Sequence, residues 1–286
     1  MRVPPLARMA SHKRCGFMEK EMKNEEIKRK AKEWFASYTA NYDMQDPKIA
    51  LKAVHTYHVA ELCEKIAQSL SLDDDACLTA WLCGLLHDVG RFEQIRRYHT
   101  FSDADSIDHA LLSIEILFGD ESDDEKTGRI REVLEDASRD DTIYQAVKYH
   151  SAYRLPQELH QTEKMFCDIL RDADKLDIFR VNLETPMEDI YNTTTEELKN
   201  AFVTPEVLQA FHERHAVLRA LKKTPVDHIV GHISLYYELV YEKSRQLAFE
   251  QGYLWKLCEF TSENVQTQKV FEEIRSQLQK DIKSHA

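Results

Sequence analysis

The chain has 286 residues, 43% hydrophobic and 31% charged, with a formal net charge of -12 and a pI near 5.6. That balance excludes a nucleic-acid polymer as partner, because backbone phosphates demand clustered Lys and Arg; a small phosphorylated substrate needs only a few local cations. Only 7 Gly and 7 Pro predict an all-α protein, and no apolar run reaches the length of a membrane span, so no membrane partner is expected.

Met1 to Lys23 is basic but lacks the apolar core of a signal peptide and is expected to be a disordered lead-in. Six cysteines (Cys15, Cys63, Cys77, Cys83, Cys167, Cys258) show no C-x-x-C spacing. They predict buried thiols in a reducing, cytoplasmic setting rather than a disulfide framework. Asn24 to Ala40 is an amphipathic helix with Ile27, Ala31, Trp34, Phe35 and Tyr38 on one face. Asp46-Pro47 then opens a helix over Ile49 to Leu70 whose stripe is Val59, Leu62, Cys63, Ile66 and Leu70. His55 falls in the middle of that stripe and His58 on its flank, so His55 needs a partner in the core.

Ser71 to Asp75 is a cap and turn. Ala76 to Leu86 is apolar on nearly every face, which predicts a central, buried helix, and His87-Asp88 closes it with Gly90 placed as a C-terminal stop. An imidazole and a carboxylate at that depth are costly unless something such as a metal ion compensates them. Arg91 to Asp108 is a polar connection in which Arg96 and Arg97 are solvated. Asp108 to Phe118 is a helix with His109 facing inward alongside Leu112, Ile116 and Leu117, and the acidic run Gly119 to Glu125 is a solvated loop. Thr142 to His150 places Ile143, Ala146, Val147 and His150 on one stripe.

Glu163 to Arg180 is helical, with Asp174 and Asp177 on or beside its apolar face and Asp172 and Lys175 pointing away. The helical wheel leaves open whether Asp174 or Asp177 is the inward acid. Later, Thr193 to Leu198 and Thr204-Pro205-Glu206 are capped helix starts, and Pro225 to Glu250 is one long helix. The pairs His212/His215 and His228/His232 have the reach of two-ligand sites but no third ligand, and are structural or surface histidines.

The inward polar residues are therefore His55, His87, Asp88, His109, His150 and one Asp of the run Asp172 to Asp177, drawn from five separate helices. Separate partners for each are harder to supply in a low-dielectric core than one shared metal centre.

This H…HD…H…H…D order resembles the HD-domain superfamily of metal-dependent phosphohydrolases, in its compact bacterial form. The resemblance rests on His55-Thr-Tyr-His-Val59, Leu85-Leu-His-Asp-Val-Gly-Arg91, His109 with Ile116-Leu117, Val147-Lys-Tyr-His150 and Asp172-Ala-Asp-Lys-Leu-Asp177. It implies an all-α HD-domain helical bundle over residues 24–182, with a C-terminal helical extension, 183–286, packed on that core. It also implies one or two divalent ions (Mn, Fe, Co, Ni, Zn or Mg). His55, His87, Asp88 and Asp174 would hold one ion; His109 and His150 add a second, bridged by Asp88. The catalytic residues implied are Asp88, with Arg91 and Lys175 to hold phosphate oxygens. The reaction implied is hydrolysis of a nucleotide or small phosphate ester by a metal-activated water. The absence of D-G-x-G-Y-P after His150 disfavours a cyclic-dinucleotide substrate. An HD-type di-iron oxygenase uses the same ligands, and a non-catalytic HD ligand sensor is the third alternative. A homodimer is compatible with the sequence.

Overall fold

The structure is a computed structural model that describes residues 5–119, 128–186 and 193–285, with side chains from Lys20 to Ile282. Residues 120–125, within the expected acidic loop, fall outside the described residues, as do residues 1–4 of the expected lead-in. Every regular element among the described residues is a helix, which establishes the all-α class. No helix among them is long and apolar enough to cross a membrane.

The chain forms two compact units, residues 1–170 and 171–286. In the first, α1 (Pro5–Thr39) reaches back well before Asn24, through Met18-Glu-Lys-Glu-Met-Lys23, a stretch of strong helix formers. Its buried stripe is the expected one: Ala31, Trp34, Phe35 and Tyr38. Trp34 donates from its indole to Glu132 at 2.8 Å, and the Tyr38 hydroxyl donates to the Val89 carbonyl at 2.9 Å. α2 (Pro47–Ser69) starts as the sequence predicts, with the Asp46 carboxylate accepting the Lys48 amide at 2.8 Å and Pro47 in the first turn.

α3 (Asp74–Leu86) is capped by Asp73 and buries every residue from Cys77 to Leu86. It crosses α2 at Gly84, where an added Cβ would lie 2.5 Å from the Ala60 Cα; only a glycine allows the two backbones that approach.

Two expectations change here. Gly90 does not stop a helix; it lies in α4 (Val89–Tyr98), which occupies much of the expected polar connection. Val89, Phe92 and Ile95 are buried together with the polar Glu93 and Gln94, so the inner face is part apolar and part polar. Gly90 instead brings α4 against α5 (His109–Phe118): a Cβ there would be 2.5 Å from the His109 carbonyl, and its amide donates to Ser113 Oγ at 2.9 Å. Arg96 and Arg97 both pair with the buried carboxylate of Glu93, so they are anchored rather than merely solvated. The unit continues through α6 (Ile130–Val133) and α7 (Asp140–Tyr149), and α8 (Gln161–Glu184) begins within it. Cys63, Cys77, Cys83 and Cys167 are buried thiols, as is Cys258 in the second unit.

In the second unit, Leu176 and Phe179 of α8 are fully buried. α9 (Thr195–Asn200) opens on a capping box between Thr194 and Glu197, and α10 (Pro205–His212) starts after Thr204, both as expected. The long helix expected over Pro225 to Glu250 is broken into α11 (Pro225–Ser234), a 3-10 turn at Leu235–Glu238 and α12 (Glu242–Glu250). The backbone at Leu239 and Tyr241 is extended, and the Val240 and Tyr241 amides donate to the Asp172 carboxylate at 3.0 Å. A buried carboxylate that collects amide donors offsets the helical bonds lost at the break. α13 (Tyr253–Cys258) and α14 (Val265–His285) complete the unit, with Phe271, Ile274 and Leu278 as the buried stripe of α14.

Candidate metal centre

In the N-terminal unit, four helices present polar side chains to one point. His55 lies two turns into α2. His87 and Asp88 form the junction between α3 and α4, His109 is the first residue of α5, and His150 follows directly on α7. Asp88 has φ -108° and ψ 16°, the sparsely populated bridge region in which many active-site residues sit. All five are buried, none more than 5% exposed.

The Asp88 carboxylate is the hub. Its Oδ2 faces His87 Nε2 at 3.3 Å and His55 Nε2 at 3.7 Å, while Oδ1 faces His109 Nε2 and His150 Nε2, each at 3.6 Å. Two groups of donor atoms result, His55/His87/Asp88 and Asp88/His109/His150, each with its atoms within 4.8 Å of one another and sharing Asp88. A third grouping, Asp103, Asp108 and His109, is explained without an ion: Asp108 caps α5 and Asp103 bonds His109.

The imidazoles are held with Nε2 inward. His87 Nδ1 lies 2.7 Å from the Gly84 carbonyl, His150 Nδ1 2.7 Å from the Val147 carbonyl, and His109 Nδ1 2.7 Å from Asp103 Oδ2. Acceptors at Nδ1 assign the proton there and leave a lone pair on Nε2, the arrangement that metal-ligating histidines adopt. The Nε2 atoms of His109 and His150 then stand 3.0 Å apart with lone pairs converging, which calls for a cation between them. The donor set therefore fits a divalent metal, and its His/carboxylate chemistry singles out none of Mn, Fe, Co, Ni, Zn or Mg.

Electrostatics agree. Burial pushes the Asp88 carboxyl upward, but the Lys52 ammonium, 2.7 Å from Oδ2, holds it well below the usual carboxylate range. Burial lowers His109 to about 4 against the opposing pull of Asp103, so this imidazole is neutral and ligand-competent near pH 7. Asp103 is resisted by its burial and still drawn down to about 2 by His109 and Arg91.

Two residues in contact with the cluster escape a reading of the sequence. Lys52 sits one turn before His55, and that i, i+3 spacing was the available signal. Asp103 comes from a 3-10 turn with no periodicity to mark it. Arg91 braces this turn: its Nη1 donates to Gln94, to the Phe101 carbonyl and to Asp103 at 2.6, 2.7 and 2.9 Å, while its Nε lies 3.8 Å from Asp88 Oδ1.

Asp174 and Lys175 belong to the C-terminal unit, where both are half-buried on α8. Asp172, which the helical wheel turned outward, is instead buried under the Val240 and Tyr241 amides, a tertiary contact that a wheel cannot represent. Asp177 pairs with Arg180 through both oxygens at 2.7 and 2.9 Å. Lys175 donates to the Arg171 carbonyl at 3.1 Å, and burial lowers its pKa to about 8.

The family model of the HD domain matches residues 53–179. No curated protein and no solved structure matches the chain. The matched span contains His55, His87, Asp88, His109, His150 and Asp174, and a buried His/Asp cluster compatible with that family's metal site lies inside it: residues 53–179 of this chain are an HD domain.

Proposed function

We propose that the chain is a metal-dependent phosphohydrolase that cleaves a nucleotide or a small phosphate ester. One ion would be held by His55, His87 and Asp88, a second by His109, His150 and the shared Asp88. The observation that supports this reading most directly is the Asp88 carboxylate, whose two oxygens each face a different histidine pair. Divalent ions in such a site acidify water and neutralise charge developing on a transferring phosphoryl group.

The chain's own side chains supply the rest. Lys52, whose ammonium rests on Asp88 Oδ2, is placed to hold a phosphate oxygen at the mouth of the cluster. Arg91 is a positioning residue: through Asp103 it fixes the ring of His109.

The test is elemental analysis of the purified protein, followed by a screen of nucleotides and phosphomonoesters with each divalent ion, in air and without oxygen. Phosphate release that persists without oxygen supports hydrolysis. Turnover that requires oxygen overturns it in favour of an HD-type oxygenase, and bound metal with no turnover on any substrate overturns it in favour of a ligand sensor.

A further inference from the structure

The C-terminal unit contains a pocket of about 580 Å³ beside the start of α11, lined in part by Thr193, Glu197, Asn200, Lys222, Thr224 and His228. Its volume lies in the range of small-molecule sites. The end of Lys222 lies along α11 against Gly231: a Cβ there would stand 2.4 Å from the Lys222 Cε and 2.6 Å from its Nζ, so a side chain at 231 would displace the ammonium. The acid acting on this ammonium, Asp227, has its carboxylate filled by the Thr204, Lys223 and Thr224 amides and the Thr204 hydroxyl. Glu197 is likewise engaged, by Thr193 and Thr194. The acids around the pocket are thus committed elsewhere, and a largely buried cation is left facing an open volume. An ammonium in that position is destabilised by its lost hydration and relieved by an incoming anion.

We propose that this pocket is a binding site for a compact phosphate-bearing anion, held by the Lys222 ammonium with the side-chain N–H of Asn200. The Asn200 side-chain amide gives one hydrogen to the Glu196 carbonyl and keeps its second for a ligand. The Lys223 ammonium at the rim is paired with Glu206 at 3.2 Å, which leaves Lys222 as the cation of the pocket. Thr224 donates to the Phe202 carbonyl, so its hydroxyl is not the donor to the anion. Burial, with Arg219, lowers the Lys222 pKa to about 8, as expected of a cation awaiting its counter-ion. The site is independent of the reaction proposed for the HD domain.

The experiment is trace acylation of Lys222 in the full-length protein, read by mass spectrometry. It is run with orthophosphate, glycerol phosphate, or chloride at matched ionic strength. Slower labelling of Lys222, by fivefold or more, is expected with one or both phosphates but not with chloride. Orthophosphate alone protecting identifies free phosphate as the ligand, and stronger protection by the ester identifies an organic phosphate. Thermal unfolding supplies the second readout: the phosphate-dependent gain in Tm falls in Lys222→Met and in Gly231→Ala, which displaces the ammonium without removing charge. Equal labelling in phosphate and chloride, or equal phosphate stabilisation in wild type and both variants, overturns the proposal.

Discussion

Replacing Gly84 with Ala is expected to separate α2 from α3, and with them His55 from His87. Inside a helix the change alone would stabilise by about 1 kcal/mol. Here, however, the new Cβ would lie 2.5 Å from the Ala60 Cα and 2.8 Å from its amide nitrogen, both backbone atoms with no rotamer to yield. Restoring ordinary contact at about 3.5 Å requires the helices to part by roughly 1 Å. Overpacking of that kind costs about 1–3 kcal/mol, and the rigid obstacle places it at the upper end. The net loss, about 1–2 kcal/mol, lowers Tm by roughly 2–8 °C in a chain of this size. Metal ligands tolerate only about 0.2 Å of error, so the same shift weakens binding at least tenfold, about 1.4 kcal/mol. Circular dichroism melting and calorimetric metal titration measure both effects. Gly252→Ala is the control: φ is +74° with open space around it, so only left-handed strain of about 1 kcal/mol applies, and metal affinity is unchanged. A wild-type Tm for Gly84→Ala, or a lowered Tm with undiminished metal affinity, would refute the coupling of this crossing to the site.

Asp88→Asn keeps the shape and removes the charge that both histidine pairs face; metal content by elemental analysis is expected to fall below about a tenth of wild type, a loss of more than 1.4 kcal/mol in binding. His212→Ala, at an exposed residue bonded to Gln277, leaves metal content unaltered, and equal losses in the two variants would sink the assignment. Lys52→Met retains metal but lowers kcat/KM about 10–100-fold, or about 1.4–2.8 kcal/mol of transition-state stabilisation, against whichever phosphoester the screen identifies; unchanged kinetics would remove Lys52 from the machinery. For pH, Lys222 has its pKa lowered from 10.5 to about 8 by burial and Arg219, against Asp227, with His228 beside it. The unfolded chain holds that proton up to about 10.4, so the folded state binds fewer protons between pH 8 and 10 and stability rises with pH there. Lys222→Met is therefore more stable than wild type at pH 7 by up to roughly 3 kcal/mol. In urea melts the gap narrows as pH approaches 10; a constant gap would contradict the burial argument.

Local pattern was enough for the helices and for the inward faces that carry His55, His109 and His150. A 3.6-residue period places a residue on a face whatever the helix later packs against. The same reasoning found α3, because a helix apolar on all sides has only one environment in which to exist. It misread α4, whose buried face mixes Val89, Phe92 and Ile95 with the polar Glu93 and Gln94, and it misread Gly90, whose role is set by a carbonyl on α5 nineteen residues away. Asp172 reversed its expected orientation, and Pro225 to Glu250 broke in the middle, for one shared reason: the acid and the 240–241 amides satisfy each other across 68 residues of chain. Lys52 touches Asp88 and Asp103 touches His109 across 36 and 6 residues of chain; a one-turn spacing from His55 hints at the first, and no periodicity marks the second.

The amino-acid order by itself determined the all-helical class, the membership of residues 53–179 in the HD family and which polar side chains turn inward, since these follow from periodicity and motif. Only the tertiary structure decided that the Asp88 oxygens divide between two histidine pairs, that Arg91 is a brace, and that Lys222 stands in a pocket whose acids are already taken. Those outcomes depend on distances between distant segments, and chain sequence encodes such distances only through the packing that it brings about.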